Sequence, residues 1–206
     1  MGFSWFEAGE PVLRQCLEDK NVVGKPKGGL SVKKWSIDSD HAVARFSVRH
    51  FMIANVEGLF TSMTGVIQFD PPDFAQLSVE AEIEGKSLTT GHRERDEHLL
   101  SPDYFDAEKY PKILFRSTGV EVTAGNRGKI TGDLTIRGIR KPITLDFAFF
   151  GPVKSPFTGI TCVGFSATGR INREDYGMTS IVPMEGGVVV GKDVLIHMEV
   201  EADLVP

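Results

Sequence analysis

The chain has 206 residues, 41% of them hydrophobic and 25% charged, with a formal net charge of −5 at pH 7. That length suffices for one well-packed core, and a net negative charge with no cationic cluster argues against nucleic acid as a partner. No run of roughly 18 apolar residues occurs, so the sequence offers no transmembrane segment.

Taken in chain order, Met1-Gly2-Phe3-Ser4-Trp5-Phe6-Glu7 has neither the basic start nor the apolar stretch of a secretory signal. Phe6 stands where a myristoylation motif has Ser or Thr. A cytoplasmic location is the resulting expectation. Residues 1–32 read as an N-terminal extension and linker. Val12, Leu13, Cys16 and Leu17 have helical spacing within Pro11 to Leu17, and Gly24-Lys25-Pro26-Lys27-Gly28-Gly29 is a flexible connector. The domain proper is expected over residues 33–206.

From Trp35 the apolar period changes to two. Ala44, Phe46 and Val48 alternate with polar neighbours, and Val66-Ile67-Gln68-Phe69 follows. Leu77, Val79, Ala81 and Ile83 then alternate with Ser78, Glu80, Glu82 and Glu84. Thr90 to Leu100, bracketed by Gly91 and Pro102, carries the helix signal of the domain and reads as a surface connection. Further strands are expected at Ile113 and Phe115, at Lys129 to Ile136, at Ile143 to Phe149 and at Gly159 to Ile171. The last has Val194, Ile196, Met198, Val200, Ala202 and Leu204 on one face and His197, Glu199, Glu201 and Asp203 on the other. Asp70-Pro71-Pro72, Gly125-Asn126-Arg127-Gly128, Arg137-Gly138 and Gly151-Pro152 mark turns. The pattern predicts an all-β fold of about eight strands, a closed antiparallel barrel or a sandwich, with one short helical connection.

The 14 Phe against 3 Tyr and 2 Trp suit an interior that is apolar throughout, although an ordinary core uses Phe as well. His41, His50, His92, His98 and His197 form no HExxH and have no close cysteine, so no metal and no cofactor are expected. Cys16 and Cys162 lie far apart in no CxxC pattern; free thiols, in keeping with a reducing compartment, are the expectation. Gly164-Phe165-Ser166-Ala167-Thr168 is not a nucleophile elbow, and Gly186-Gly187 with Gly191 lacks the helix that a phosphate loop needs. No nucleophile, base and orienting group stand out together, so the chain is not expected to be an enzyme.

Several blocks in order carry a resemblance: Trp35-Ser36-Ile37-Asp38-Ser39-Asp40-His41, Gly58-Leu59-Phe60 and Ser87-Leu88-Thr89-Thr90-Gly91, then Arg95-Asp96-Glu97-His98-Leu99 and Tyr104-Phe105-Asp106. Lys109-Tyr110-Pro111-Lys112-Ile113, Gly132-Asp133-Leu134-Thr135-Ile136-Arg137-Gly138 and Ile171-Asn172-Arg173-Glu174-Asp175-Tyr176-Gly177 complete it. From Trp35 onward the chain resembles the YceI-like polyisoprenoid-binding proteins. That resemblance implies an elongated, lipocalin-like antiparallel barrel around a long apolar pore, with binding and sequestration or transport of an isoprenoid or quinone-like lipid. Many family members carry an export signal and this sequence shows none, so the family's usual location does not carry over. Residues 1–32 fall outside the shared pattern.

On this reading the inward Phe46, Val48, His50, Phe115, Phe147, Phe149, Phe165 and Met198 line the ligand site. Arg95 and His98, within the block most like the family, are head-group candidates at the mouth. The alternative for Arg95 and Asp96 is that they anchor the helix onto the barrel by charge-assisted hydrogen bonds. Two rivals stand beside the carrier: an enzyme acting on a lipid at the barrel mouth through Arg95, Asp96, His98 or His50, and an interaction protein whose barrel is filled. A homodimer is possible by analogy with such folds.

Overall fold

The computed structural model describes residues 32–180, 183–184 and 187–206. The helix expected over Pro11 to Leu17, the linker at 24–29 and Cys16 lie outside them. The alternating segments become strands: β1 (Lys34–His50), β2 (Ala54–Phe60), β3 (Met63–Asp70), β4 (Asp73–Glu84) and β5 (Leu88–Thr89). A short helix, α1 (Arg93–Leu100), precedes β6 (Lys112–Ala124), β7 (Arg127–Ile136), β8 (Ile139–Lys154) and β9 (Thr161–Asn172). β10 (Pro183–Met184) and β11 (Gly187–Val188) form a small hairpin before β12 (Val190–Leu204).

Neighbouring strands pair antiparallel in the ring β1-β3-β4-β6-β7-β8-β9-β12, and β12 returns to β1 from Trp35↔Leu204 to His50↔Val190. That seam decides between barrel and sandwich, because closure leaves no open edge along the ring. The fold is the eight-stranded lipocalin-like barrel with one short helix that the alternation and the resemblance imply.

β2 and β3 act as one strand broken at Thr61-Ser62, where Thr61 N–H donates to Ser87 O (3.2 Å) and Ser62 N–H to Ser87 Oγ (3.2 Å). β1 is interrupted on the same side. Ile37 pairs with Ala202 but Ala42 with Val200, so Asp38-Ser39-Asp40-His41 bulges out of the wall. Asp38 closes the bulge, accepting from Asp40 N–H (2.9 Å) and bonding His41 Nδ1 (2.7 Å). Each irregularity flips the phase of alternation. The buried set runs Trp35, Ile37 and then Ala42, Ala44 on β1, and Phe60 and then Met63, Ile67, Phe69 across β2 and β3.

One end of the barrel is packed solid with aromatic rings. Phe69, wholly buried, stacks on Phe74 (5.6 Å between centroids) and meets Phe149 (5.5 Å) and Phe165 (5.6 Å) edge-on. Trp35 packs beside it (5.9 Å), its indole N–H donating to Phe69 O (3.2 Å). Such pairs add about 0.5–1.5 kcal/mol each beyond area burial, so this floor is the most strongly fixed part of the interior. Among the described residues, no helix is long and apolar enough to cross a membrane.

Candidate functional site

Above the aromatic floor the interior is hollow in two places. An inner cavity of about 70 Å³ is walled by, among others, Ile37, Val79, Ala81, Phe115, Phe147, Phe165, Ala167, Met198 and Val200. An outer one of about 120 Å³ is walled by Ala44, Phe46, Val48, Ile83, Ile113, Leu134, Ile136, Ile171, Ile196 and their neighbours. A water needs only about 10–15 Å³ of such space, and only where polar groups hold it. These walls are hydrocarbon almost throughout, so both hollows suit an apolar guest.

The two cavities lie in series along the barrel axis. Walking up β12, Val200 and Met198 line the inner cavity, and Ile196, Val194 and Val190 the outer one. The same order holds on β6 (Phe115, then Ile113), on β4 (Ala81, then Ile83) and on β9 (Ala167, then Ile171). Side chains two apart on a strand share a face, so each of these strands contributes one file of apolar side chains that borders first the inner and then the outer cavity.

Of the residues expected to line the site, Phe46 and Val48 line the outer cavity, and Phe115, Phe147, Phe165 and Met198 the inner one. Phe149 belongs to the floor. His50, at the end of β1, stacks edge-on against Phe51 (4.1 Å) and borders neither cavity. The Phe46 ring sits against Gly58, where a Cβ would come within 2.3 Å of its Cζ; glycine is what lets that ring approach the wall.

Around the rim the ring of strands gives way to α1 and the loop after it. Leu99, Tyr104 and Phe105 cover the outer cavity, and Phe105 packs edge-on against Phe60 (5.3 Å). Arg95 and Asp96 hold this cover to the preceding loop. Asp96 accepts from Thr90 N–H (2.8 Å), Thr90 Oγ1 (2.5 Å) and Thr89 Oγ1 (3.2 Å); Arg95 donates to Thr90 Oγ1 (2.7 Å) and Thr90 O (3.0 Å). Burial pushes the Asp96 carboxyl up, but the Thr90 and Thr89 hydrogen bonds and the Arg95 charge outweigh it and hold the group below its ordinary value. His98 points along the cover, 3.3 Å from Asp103 and edge-on to Tyr104. Neither Arg95 nor His98 borders either of these two cavities.

One functional candidate escaped the sequence reading. Arg173 is only 3% exposed and borders the outer cavity. Its Nε donates to Gly191 O (3.0 Å), one Nη to Met178 O and the other to Val190 O (3.3 Å). Phe165, Ala167, Gly169 and Ile171 keep one parity along β9, and Arg173 follows just past its end, where those three carbonyls hold the guanidinium at the cavity.

On the outer wall Cys162 is a free, buried thiol that donates to Asp203 Oδ1 (3.0 Å). Its sulfur and carboxylate oxygens of Glu201 and Asp203 lie within 4.8 Å of one another. Burial, with Asp203 and Glu201 beside it, pushes its pKa up to about 12.

Comparison with known proteins agrees with this architecture. A UPF0312 protein of Staphylococcus aureus is 36% identical over 168 residues, 81% of this chain and 95% of that one. The crystal structure of the Campylobacter jejuni YceI protein superposes with a TM-score of 0.66 at 31% identity, covering 91% of this chain and 95% of that one. A polyisoprenoid-binding domain from Saccharophagus degradans, implicated in plant cell wall breakdown, shares the fold (TM-score 0.59, 13% identity, 83% and 98% covered). The YceI-like domain model matches residues 35–202, which is the barrel from its first buried tryptophan to its last fully buried residue, and the chain therefore belongs to the YceI-like family.

Proposed function

We propose that this protein binds an isoprenoid or quinone-like lipid by drawing its tail along the barrel axis, and that it sequesters or transports that lipid without chemically altering it. The observation that carries the reading is the pair of apolar cavities in series, aligned by every strand that borders both. The ligand class named for the Saccharophagus domain, which shares this barrel, is of the kind such an interior takes.

The energetics are adequate. Burying a methylene contributes about 0.8 kcal/mol, so a five-carbon isoprene unit contributes roughly 3–4 kcal/mol. Micromolar affinity corresponds to about 8 kcal/mol. Two or three buried units reach that before ordering costs are subtracted. A cytoplasmic site of action belongs to the same reading, supported by the free Cys162 thiol, and cell fractionation tests it.

The test is direct. Organic extracts of the denatured protein are analysed by mass spectrometry, and the delipidated protein is offered prenyl chains. Filling the cavities with Ala44→Phe and Ala167→Leu, both at wall positions, is expected to lower uptake at least tenfold while the circular dichroism spectrum is unchanged. Absence of any co-purified lipid together with no uptake by the unaltered chain would overturn the carrier reading. So would turnover of an added lipid that collapses in Arg95→Ala or His98→Ala, in favour of an enzyme at the mouth.

A further inference from the structure

A guanidinium carries five N–H donors in a fixed fork and cannot shed its charge in a protein. In Arg173 three of those donors go to the carbonyls of Gly191, Met178 and Val190. Backbone carbonyls are neutral, so they satisfy hydrogen bonds without cancelling the cation. Among the described residues no carboxylate lies within 4.0 Å of it; the recorded ion pairs involve other side chains. A buried charge without a counter-charge is costly, and this one, unpaired among the described residues, borders a cavity whose remaining walls, Arg45 apart, are largely hydrocarbon.

We propose that Arg173 is the counter-charge for a ligand bearing an anionic oxygen head group, a phosphate or a carboxylate, whose tail occupies the two cavities below it. The two N–H groups left over are those of the fork's outer nitrogens, and an anionic oxygen pair is the acceptor that matches a fork. Position agrees with charge. Arg173 is at the end of the axial path away from the aromatic floor, beside Ile171, Met178 and Val190 of the outer cavity. An amphiphile lying tail-inward along that path brings its head to this level. A neutral quinone or alcohol would leave the charge uncancelled. The inference rests on the tail-binding reading above and adds the chemistry of the head.

The experiment compares partners that share a tail and differ in the head: geranylgeranyl phosphate with geranylgeraniol, and palmitate with hexadecanol, titrated into the delipidated full chain. The unaltered protein should bind each anionic member at least tenfold more tightly than its alcohol. In Arg173→Gln that preference should vanish while alcohol affinity stays within about threefold. A wild-type protein that binds acid and alcohol equally overturns the head-group assignment and leaves tail binding intact; one that binds none of the four overturns tail binding itself. Equal loss of acid and alcohol in Arg173→Gln shows that the arginine only staples the rim, which also overturns the assignment. If that variant does not fold, the Arg173 Nε–H resonance of the unaltered chain decides. It should shift on adding the phosphate and not the alcohol, and a silent resonance refutes the contact.

Discussion

The Cys162 thiol lies beside two carboxylates, and its environment resists ionisation from every side: burial first, then Asp203 and Glu201. With its pKa raised from 9.0 to about 12, the thiolate fraction at pH 8 falls roughly a thousandfold. Peptide mapping after iodoacetamide treatment at pH 8 should therefore find Cys162 unmodified in the native protein and promptly alkylated in urea. Tyr176, also raised to about 12 by burial and the neighbouring Asp175, works in the same sense. Both groups hold their protons more tightly when folded, so their contribution is complete below the ordinary values of 9.0 and 10.0. It is lost as pH rises towards 12, and urea midpoints should fall across that window. At this scale the sequence spoke unevenly. The inward files of Phe and Met were legible because the side-chain period is strictly two. Arg173 was not, because an arginine inside Asn-Arg-Glu-Asp reads as a solvated turn, and what holds it inside is a set of carbonyls distant in sequence, past the end of β9 where strand parity stops. Phe149 had the right parity, but periodicity gives the face of a strand and not the height at which its neighbours close the gap.

Among elements, α1 is held more by polar tethers than by buried area, since none of its residues is fully buried. Asp96 carries the largest share of those tethers. Replacing it by Asn removes the charge from three hydrogen bonds and should loosen the cover by about 1–2 kcal/mol. Hydrogen exchange over residues 93–105 should then quicken roughly tenfold, with the barrel strands unaffected. Acid should act likewise on the unaltered chain. The Asp96 pKa is lowered on folding, so the tether is fully present above the ordinary carboxylate value of 3.8 and is lost as pH falls through the lowered one. The helix itself was readable from Gly91 and Pro102. The phase flips at Asp38 to His41 and at Thr61-Ser62 were not, because a bulge leaves strand residues on both sides and shows only when the partner's register is known.

At the level of the whole molecule, alternation alone could not choose between a barrel and a sandwich; that choice lies in the long-range seam of β1 with β12. Nor could composition distinguish a hollow from a filled interior. The answer is both: rings fill one end and leave space above. Saturation with a tail-binding lipid at about a hundred times its dissociation constant should stabilise the fold by about 2.7 kcal/mol, seen as a rise in melting temperature. The filled variant should show no such rise. Because Phe69 and its neighbours fill the far end, a tail that threads both cavities would meet a closed bottom, and a closed bottom gauges what enters. Affinity should climb with each added isoprene unit until the leading methyl groups touch those phenyl rings, and then stop climbing. Any longer molecule would then have to leave its surplus length outside the rim, and on the proposed function the stack of aromatics would serve as a ruler of chain length.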